Sequence, residues 1–273
     1  MTDSPDATEV FELFAKRRDL VETLAEEPLT QRELVARSSA SQSTVSRALS
    51  SLRELHVVSR SAGTYELTPH GRLLLGTFRD YVRETEDLFR ASPVVAALPS
   101  DVDLDAAVLD GATISRSKPH APDAAIRPLI DVKQEATRLR SCTPVVWTAM
   151  VRTVTEQIAT NDLSAEIVMT EDVAEELSSL YANHQTAYGT GRLRLYTLPG
   201  ELPYGLSLTE TPTETYAGIT VRLESDVWGT IVNTNEAAID WVETRFDEVV
   251  ERAAPWTPPG FDGPPDAPDA PSE

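Results

Sequence analysis

Apolar residues recur at helical spacing from the start of the chain. Val10, Phe11, Leu13, Phe14, Leu20, Val21 and Leu24 predict a first helix from about Thr8 to Ala25, ended by Glu26-Glu27-Pro28. Thr30 with Glu33 has the spacing of a capping box and opens a short helix that turns Leu34 and Val35 inward. Ser38, Ser39 and Ala40 form a polar turn. Ser41 then caps a helix from about Gln42 to about His56, whose Val45, Ala48, Leu49, Leu52 and Leu55 define one buried face. Val57 and Val58 begin a strand, Ser61-Ala62-Gly63 turn the chain, and Thr64 to Leu67 return it. A further helix, from about Gly71 to Arg90, carries Leu74, Leu75, Phe78, Val82, Leu88 and Phe89.

From Ser92 to Asp103 the periodicity lapses around Pro93 and Pro99, which predicts a linker. Strands and helices then alternate. Strands are expected at Ala107–Leu109, Cys142–Trp147, Glu166–Met169, Leu193–Leu198, Gly205–Thr209, Ala217–Leu223 and Trp228–Asn233. Helices are expected at Ala124–Arg140, Thr148–Thr160, Glu171–Tyr188 (capped by Thr170) and Ala237–Ala253, with residues 112–123 a loop. That order predicts an α/β domain with one sheet covered by helices. The organisation expected is therefore 1–91, a helix-turn-helix with a β-wing and trailing helix; 92–103, a linker; 104–254, an α/β effector or dimerisation domain; and 255–273, a disordered acidic tail rich in proline.

Charge is unevenly spread. The chain has 44 acidic and 24 basic residues, a net charge of −20, yet residues 28–72 hold six arginines against three glutamates. A basic island in an acidic chain is the footprint of a phosphate-binding face. Only Lys16, Lys118 and Lys133 are lysines. Scarce lysine with abundant carboxylate resembles the composition of proteins from extreme halophiles. In about 1 M salt the screening length falls to about 3 Å, so recognition rests on close hydrogen bonds and groove fit. No apolar run is long enough to span a membrane, and MTDSPDATEV lacks the pattern of a signal peptide, so a soluble cytoplasmic protein is expected. Cys142, the one cysteine, stands in an apolar setting that suits a buried small residue.

The polar face of the Gln42–His56 helix carries Gln42, Ser43, Thr44, Ser46, Arg47 and Ser50. Short hydrogen-bonding side chains around one arginine, near the N-terminus of such a helix, suit base edges and phosphates in the major groove. Gln31, Ser41 and Arg53 flank them, and the wing adds Arg60 and Thr64. The expected partner is double-stranded DNA, bound by a homodimer for which the Gly71–Arg90 helix is one candidate interface.

Two resemblances extend this reading. ELVARSSASQSTVSRALSSLRELHVVSR, followed by YELTPHG, resembles the winged helix of prokaryotic transcriptional regulators. WGTIVNTNEAAIDWVETRF, AEIVMTEDVAEELSSL and GRLRLYTLPGELPYGLSLTE resemble the effector domain of archaeal winged-helix regulators of the methanogenesis-regulator type, distantly related to sugar-sensing TrmB-like regulators. The second resemblance implies a phospholipase D-like fold and a small-molecule effector. For such an effector Trp147, Tyr196, Tyr204 and Trp228, with Arg192 and Arg194 for an anion, are the candidates, although core packing is the favoured account of the tryptophans.

Catalytic patterns are missing from the sequence. A phospholipase D-like enzyme needs a histidine followed two residues on by lysine, and none of His56, His70, His120 and His184 has one. No pair of these has zinc spacing, and neither a phosphate-binding loop nor a nucleophile elbow occurs. The expectation is a regulator without cofactor, metal or enzymatic activity. The rivals are a regulator whose second domain only dimerises or recruits a protein, and a DNA-tethered phosphodiesterase.

Overall fold

A computed structural model describes residues 6–181, 187, 189–223 and 226–259. The chain divides into two compact units, Met1–Thr85 and Glu86–Glu273.

The first unit contains helices α1 (Ala7–Lys16), α2 (Arg18–Glu26), α3 (Gln31–Arg37) and α4 (Gln42–Glu54), strands β1 (Leu29–Thr30), β2 (Val58–Ser61) and β3 (Thr64–Leu67), and the start of helix α5 (Pro69–Val95). The single first helix expected from the sequence is two helices, broken at Arg17. Phe14 and Leu20 are both buried in this core, yet in a continuous helix they would point about 120° apart. The break turns both inward. Thr30 and Glu33 form the expected capping box: the Thr30 N–H donates to Glu33 Oε2 (2.8 Å) and the Glu33 N–H donates to Thr30 Oγ1 (3.3 Å). The Thr30 hydroxyl also donates to Glu33 Oε2 (2.7 Å), and this bond, with the one from the Thr30 N–H, holds the Glu33 carboxyl below the ordinary carboxylate range. Val45, Ala48, Leu49 and Leu52 of α4 are buried, as their spacing requires.

The wing is the hairpin β2–β3, with Ser61 opposite Thr64. Its turn residues Ala62 and Gly63 both have positive φ, 50° and 89°. That is the primed turn whose twist matches the paired strands. β1 adds a third strand, giving the order β1-β3-β2. Two residues are too few for any periodicity to disclose. Val57 and Thr68 tie the wing to α5: the Thr68 N–H donates to Val57 O (3.0 Å), and Thr68 Oγ1 accepts from the Gly71 N–H (2.9 Å). A Cβ on Gly71 would lie 2.1 Å from Val57 O, so only glycine fits there.

The second unit is built on an eight-stranded mixed sheet in the order β11-β7-β6-β5-β8-β9-β10-β4. The strands are β4 (Thr113–Arg116), β5 (Arg138–Thr143), β6 (Ser164–Thr170), β7 (Leu193–Leu198), β8 (Tyr204–Glu210), β9 (Thr215–Leu223), β10 (Asp226–Asn233) and β11 (Ala254–Pro255). Strands β5, β6 and β7 are parallel, and the other pairings are antiparallel. Helices α6 (Arg127–Lys133), α7 (Thr148–Thr160) and α8 (Glu171–Tyr181) precede or join the parallel strands, and α9 (Glu236–Val250) closes the described chain with β11. One core gathers Ile219, Val221, Ile231, Val242 and Phe246; the other gathers Leu139, Val154, Ile158, Leu163, Met169 and Leu177.

Several expectations are corrected. Ala106–Leu109 is a 3-10 turn capped by Asp105, not a strand. Residues 113–116, expected within a loop, form edge strand β4, whose Thr-Ile-Ser-Arg sequence is too polar to stand out. The helix expected at Ala124–Arg140 ends at Lys133, and β5 occupies 138–143, not 142–147. Pro144 has no N–H for a ladder and cannot lie inside this central strand. Residues 92–95, expected in a linker, continue α5, and Ala91 and Val94 are buried in the second unit's core. The expected tail, 255–273, begins with order: Pro255 pairs with Tyr196, and the Trp256 N–H donates to Leu195 O (2.9 Å). The helix reading for 182–186 and 188, which includes His184, lies outside the described residues, as does the tail from residue 260.

Candidate nucleic-acid interface

The polar face of α4 is set by its cap and by its buried side. Ser41 Oγ accepts from the Thr44 N–H (3.3 Å) and lies 3.0 Å from Ser43 Oγ and 2.9 Å from Thr44 Oγ1. Three hydroxyls thus cluster at the positive end of the helix dipole, with no carboxylate in the first turn to neutralise it. Gln42, Ser43, Ser46, Arg47, Ser50 and Arg53 are exposed, and Thr44 is half-buried. Ser43, Arg47 and Ser50 follow at four and three residues along one line, and Gln42 and Ser46 along the next. Arg47 Nε donates to Ser43 O (3.3 Å), which lays its guanidinium back along the helix, and Ser50 Oγ donates to Ser46 O (3.2 Å).

In the wing, Arg60 is exposed with its guanidinium over the Tyr65 ring, 5.3 Å from the centroid. Thr64 Oγ1 donates to Ser61 O (2.9 Å) and so braces the turn. Gln31 is half-buried at the first position of α3. The cations sort into two groups. Arg37 pairs with Glu27 (2.8 Å) and Arg79 with Glu22, whose carboxyl is held low by that hydrogen bond. Among the described residues, Arg47, Arg53 and Arg60 have no carboxylate partner. Sequence reasoning placed these residues on one helix and its wing; it gave no sign of which arginines are paired.

The second unit's candidates are mostly structural. Trp228 Nε1 donates to Pro93 O (2.7 Å), Tyr204 and Tyr196 pack against a core, and Arg192 pairs with Asp162 and donates to Ile158 O (2.7 Å). Arg194 is exposed. Trp147 lines a cavity of about 100 Å³ together with Lys133, a residue the sequence did not single out as a ligand group. Cys142 is buried as expected, and burial pushes its thiol up to about 12. His56, His70 and His120 are exposed, and among the described residues no group of three or more His, Cys, Asp or Glu is placed to hold a metal. No described helix is long and apolar enough to cross a membrane.

No curated protein matches the chain. By structure it is similar to TrmBL2, an archaeal chromatin protein described as showing a novel mode of DNA binding, at 12% identity over 91% of this chain and 99% of that one, with a TM-score of 0.40. It is also similar to Nuc, a phospholipase D family member from Salmonella typhimurium (8% identity, 53% of this chain and 98% of that one, TM-score 0.41). NucT from Helicobacter pylori gives 13% identity over the same shares, with a TM-score of 0.35. Two family models match along the sequence: the HVO_A0261 N-terminal domain over residues 5–88, and the middle domain of the methanogenesis regulatory protein FilR1 over residues 122–252. Residues 5–88 are therefore of the HVO_A0261 N-terminal type, and residues 122–252 of the type of the FilR1 middle domain.

Proposed function

We propose that the protein is a sequence-specific, DNA-binding transcriptional regulator, acting as a homodimer in the cytoplasm and modulated by a small molecule held in its second domain. The observation that carries this reading is the set of three arginines, Arg47, Arg53 and Arg60, without carboxylate partners on the recognition helix and wing of a chain with net charge −20. In so acidic a protein, unpaired cations grouped on one element pair favour a polyanion. Gln42, Ser43, Thr44, Ser46 and Arg47 enter the major groove, with Ser41, Ser50 and Arg53 beside them. Arg60 and the wing, with Thr64, take the backbone, and Gln31 meets phosphate at the start of α3. The trailing helix, with Leu73 and Tyr81 exposed, supports dimerisation.

Genome-wide occupancy of the tagged protein supplies sites, and fluorescence anisotropy on a recovered site then compares wild type with Arg47→Ala. The variant is expected to bind more weakly and, where Arg47 reads a guanine, to lose about 1–3 kcal/mol of discrimination there. Unchanged affinity in a folded variant refutes the role of Arg47. Absence of discrete occupied sites refutes the regulator reading.

A further inference from the structure

The face of the sheet beneath α6, α7 and α8 is not uniform. Its parallel half is apolar, but where β5, β8 and β9 meet the floor is small and polar. Ser141 lies opposite Ser207, Ser207 opposite Gly218, and Gly205 opposite Thr220. Above this floor is the cavity of about 100 Å³, walled by Trp147, Met150, Val151, Val154, Ile167 and Leu177. Ser141 Oγ is committed to Leu206 O (2.8 Å). The hydroxyls of Ser207 and Thr220, both buried cavity-lining residues, make no hydrogen bond among the described residues.

Lys133 reaches the same space. It sits in the last turn of α6, four residues after Leu129, which also lines the cavity. It is 3% exposed, and it has neither a hydrogen bond nor an ion pair among the described residues. Among the described residues, no Asp or Glu lines the cavity. The other inward-turned bases of this domain are partnered: Arg140 meets Glu166, Glu243 and Asp247, and Arg192 meets Asp162. A buried amine without a partner is unfavourable unless something supplies one. This one is also among only three lysines in the chain.

An occupant must therefore match an apolar wall, one cation and two free hydroxyl donors. A carboxylate accepts from all three. A phosphoryl group would ask for more donors than this floor offers. At about 100 Å³ the space is smaller than the cavity of about 150 Å³ that holds one benzene ring. We propose that the cavity binds a short-chain aliphatic carboxylic acid, smaller than an aromatic ring, its apolar body between α7 and the sheet and its carboxylate on Lys133, Ser207 and Thr220. This names the class of effector and rests on the regulator reading only for its consequence at DNA.

The test is calorimetric titration of the full chain with propionate and with 1-propanol, which has the same three carbons and no charge. Propionate should bind at least about tenfold tighter, a preference that Lys133→Met should reduce to near unity while leaving the alcohol unaffected. Failure of propionate to bind, equal binding of acid and alcohol by the wild type, or an acid preference retained by Lys133→Met overturns the proposal. Acid binding by a protein without specific DNA binding supports the site and refutes the regulator reading. Specific DNA binding without acid binding does the reverse.

Discussion

Lys133→Met should make the protein more stable at neutral pH, although it removes a charge and adds no designed contact. Burial lowers the Lys133 amine from its ordinary 10.5 to about 8, with no nearby carboxylate to oppose the shift. At about 1.4 kcal/mol per tenfold, that displacement corresponds to about 3 kcal/mol of native-state penalty while the amine is protonated in both states. Methionine has similar length and no charge, so it removes the penalty and keeps the wall filled. The sign with pH follows from proton counting. Between about pH 8 and about pH 10.5 the unfolded chain holds the Lys133 proton and the folded chain does not, so the wild type gains stability relative to the variant as pH rises. Below about pH 8 the difference is constant. Cys142, the other titratable group among the described lining residues, turns its side chain into the core on the opposite face of the sheet, and at about 12 its thiol titrates above this window. Denaturant unfolding of both proteins across this range, at one fixed salt concentration, measures the difference directly. A variant less stable than wild type at pH 7, or a gap that does not close with pH, would show that the amine has a partner in the native state.

Three further outcomes follow from backbone and burial. Gly71→Ala should destabilise the first unit by about 1–3 kcal/mol or more, because its Cβ meets Val57 O, whereas Gly76→Ala, with nothing within 4 Å, should stabilise α5 by about 1 kcal/mol; paired thermal melts compare them. Ala62→Asn should raise the melting temperature by relieving about 1 kcal/mol of left-handed strain at φ 50°, and a lower melting temperature would contradict the turn assignment. Cys142 should resist alkylation in the folded protein at neutral pH and react once denaturant is added, as a mass-spectrometric time course would detect.

The winged helix was legible because its information is local. A capping box, a serine-capped amphipathic helix and an Ala-Gly turn each fit within a few residues, and the structure places all three where their spacing put them. β7 and α7 were equally clear, bounded as expected. What escaped depends on distant partners. β1 exists because β3 lies beside it, and β4 because β10 does. Arg138 and Arg140 gave β5 the look of a charged helix, yet Arg140 lies over the Phe246 ring at 4.6 Å and reaches carboxylates on α9 and β6. The recognition face was visible as a list of residues, but which arginines lack partners is a tertiary fact. Lys133 was silent for the same reason: a lysine in a helix reads as solvated until the elements around it close.

The ends of the large sheet bear on how copies of the chain assemble. β4 is four residues of Thr, Ile, Ser and Arg, and β11 is two residues ending in Pro255, which offers no N–H. Such margins discourage one sheet from extending into another. They do so by brevity and proline and not mainly by electrostatic repulsion, so the safeguard persists in brine, where charge is screened. A self-associating copy must then be recognised by side chains, since the margins leave little backbone ladder for amyloid-like stacking.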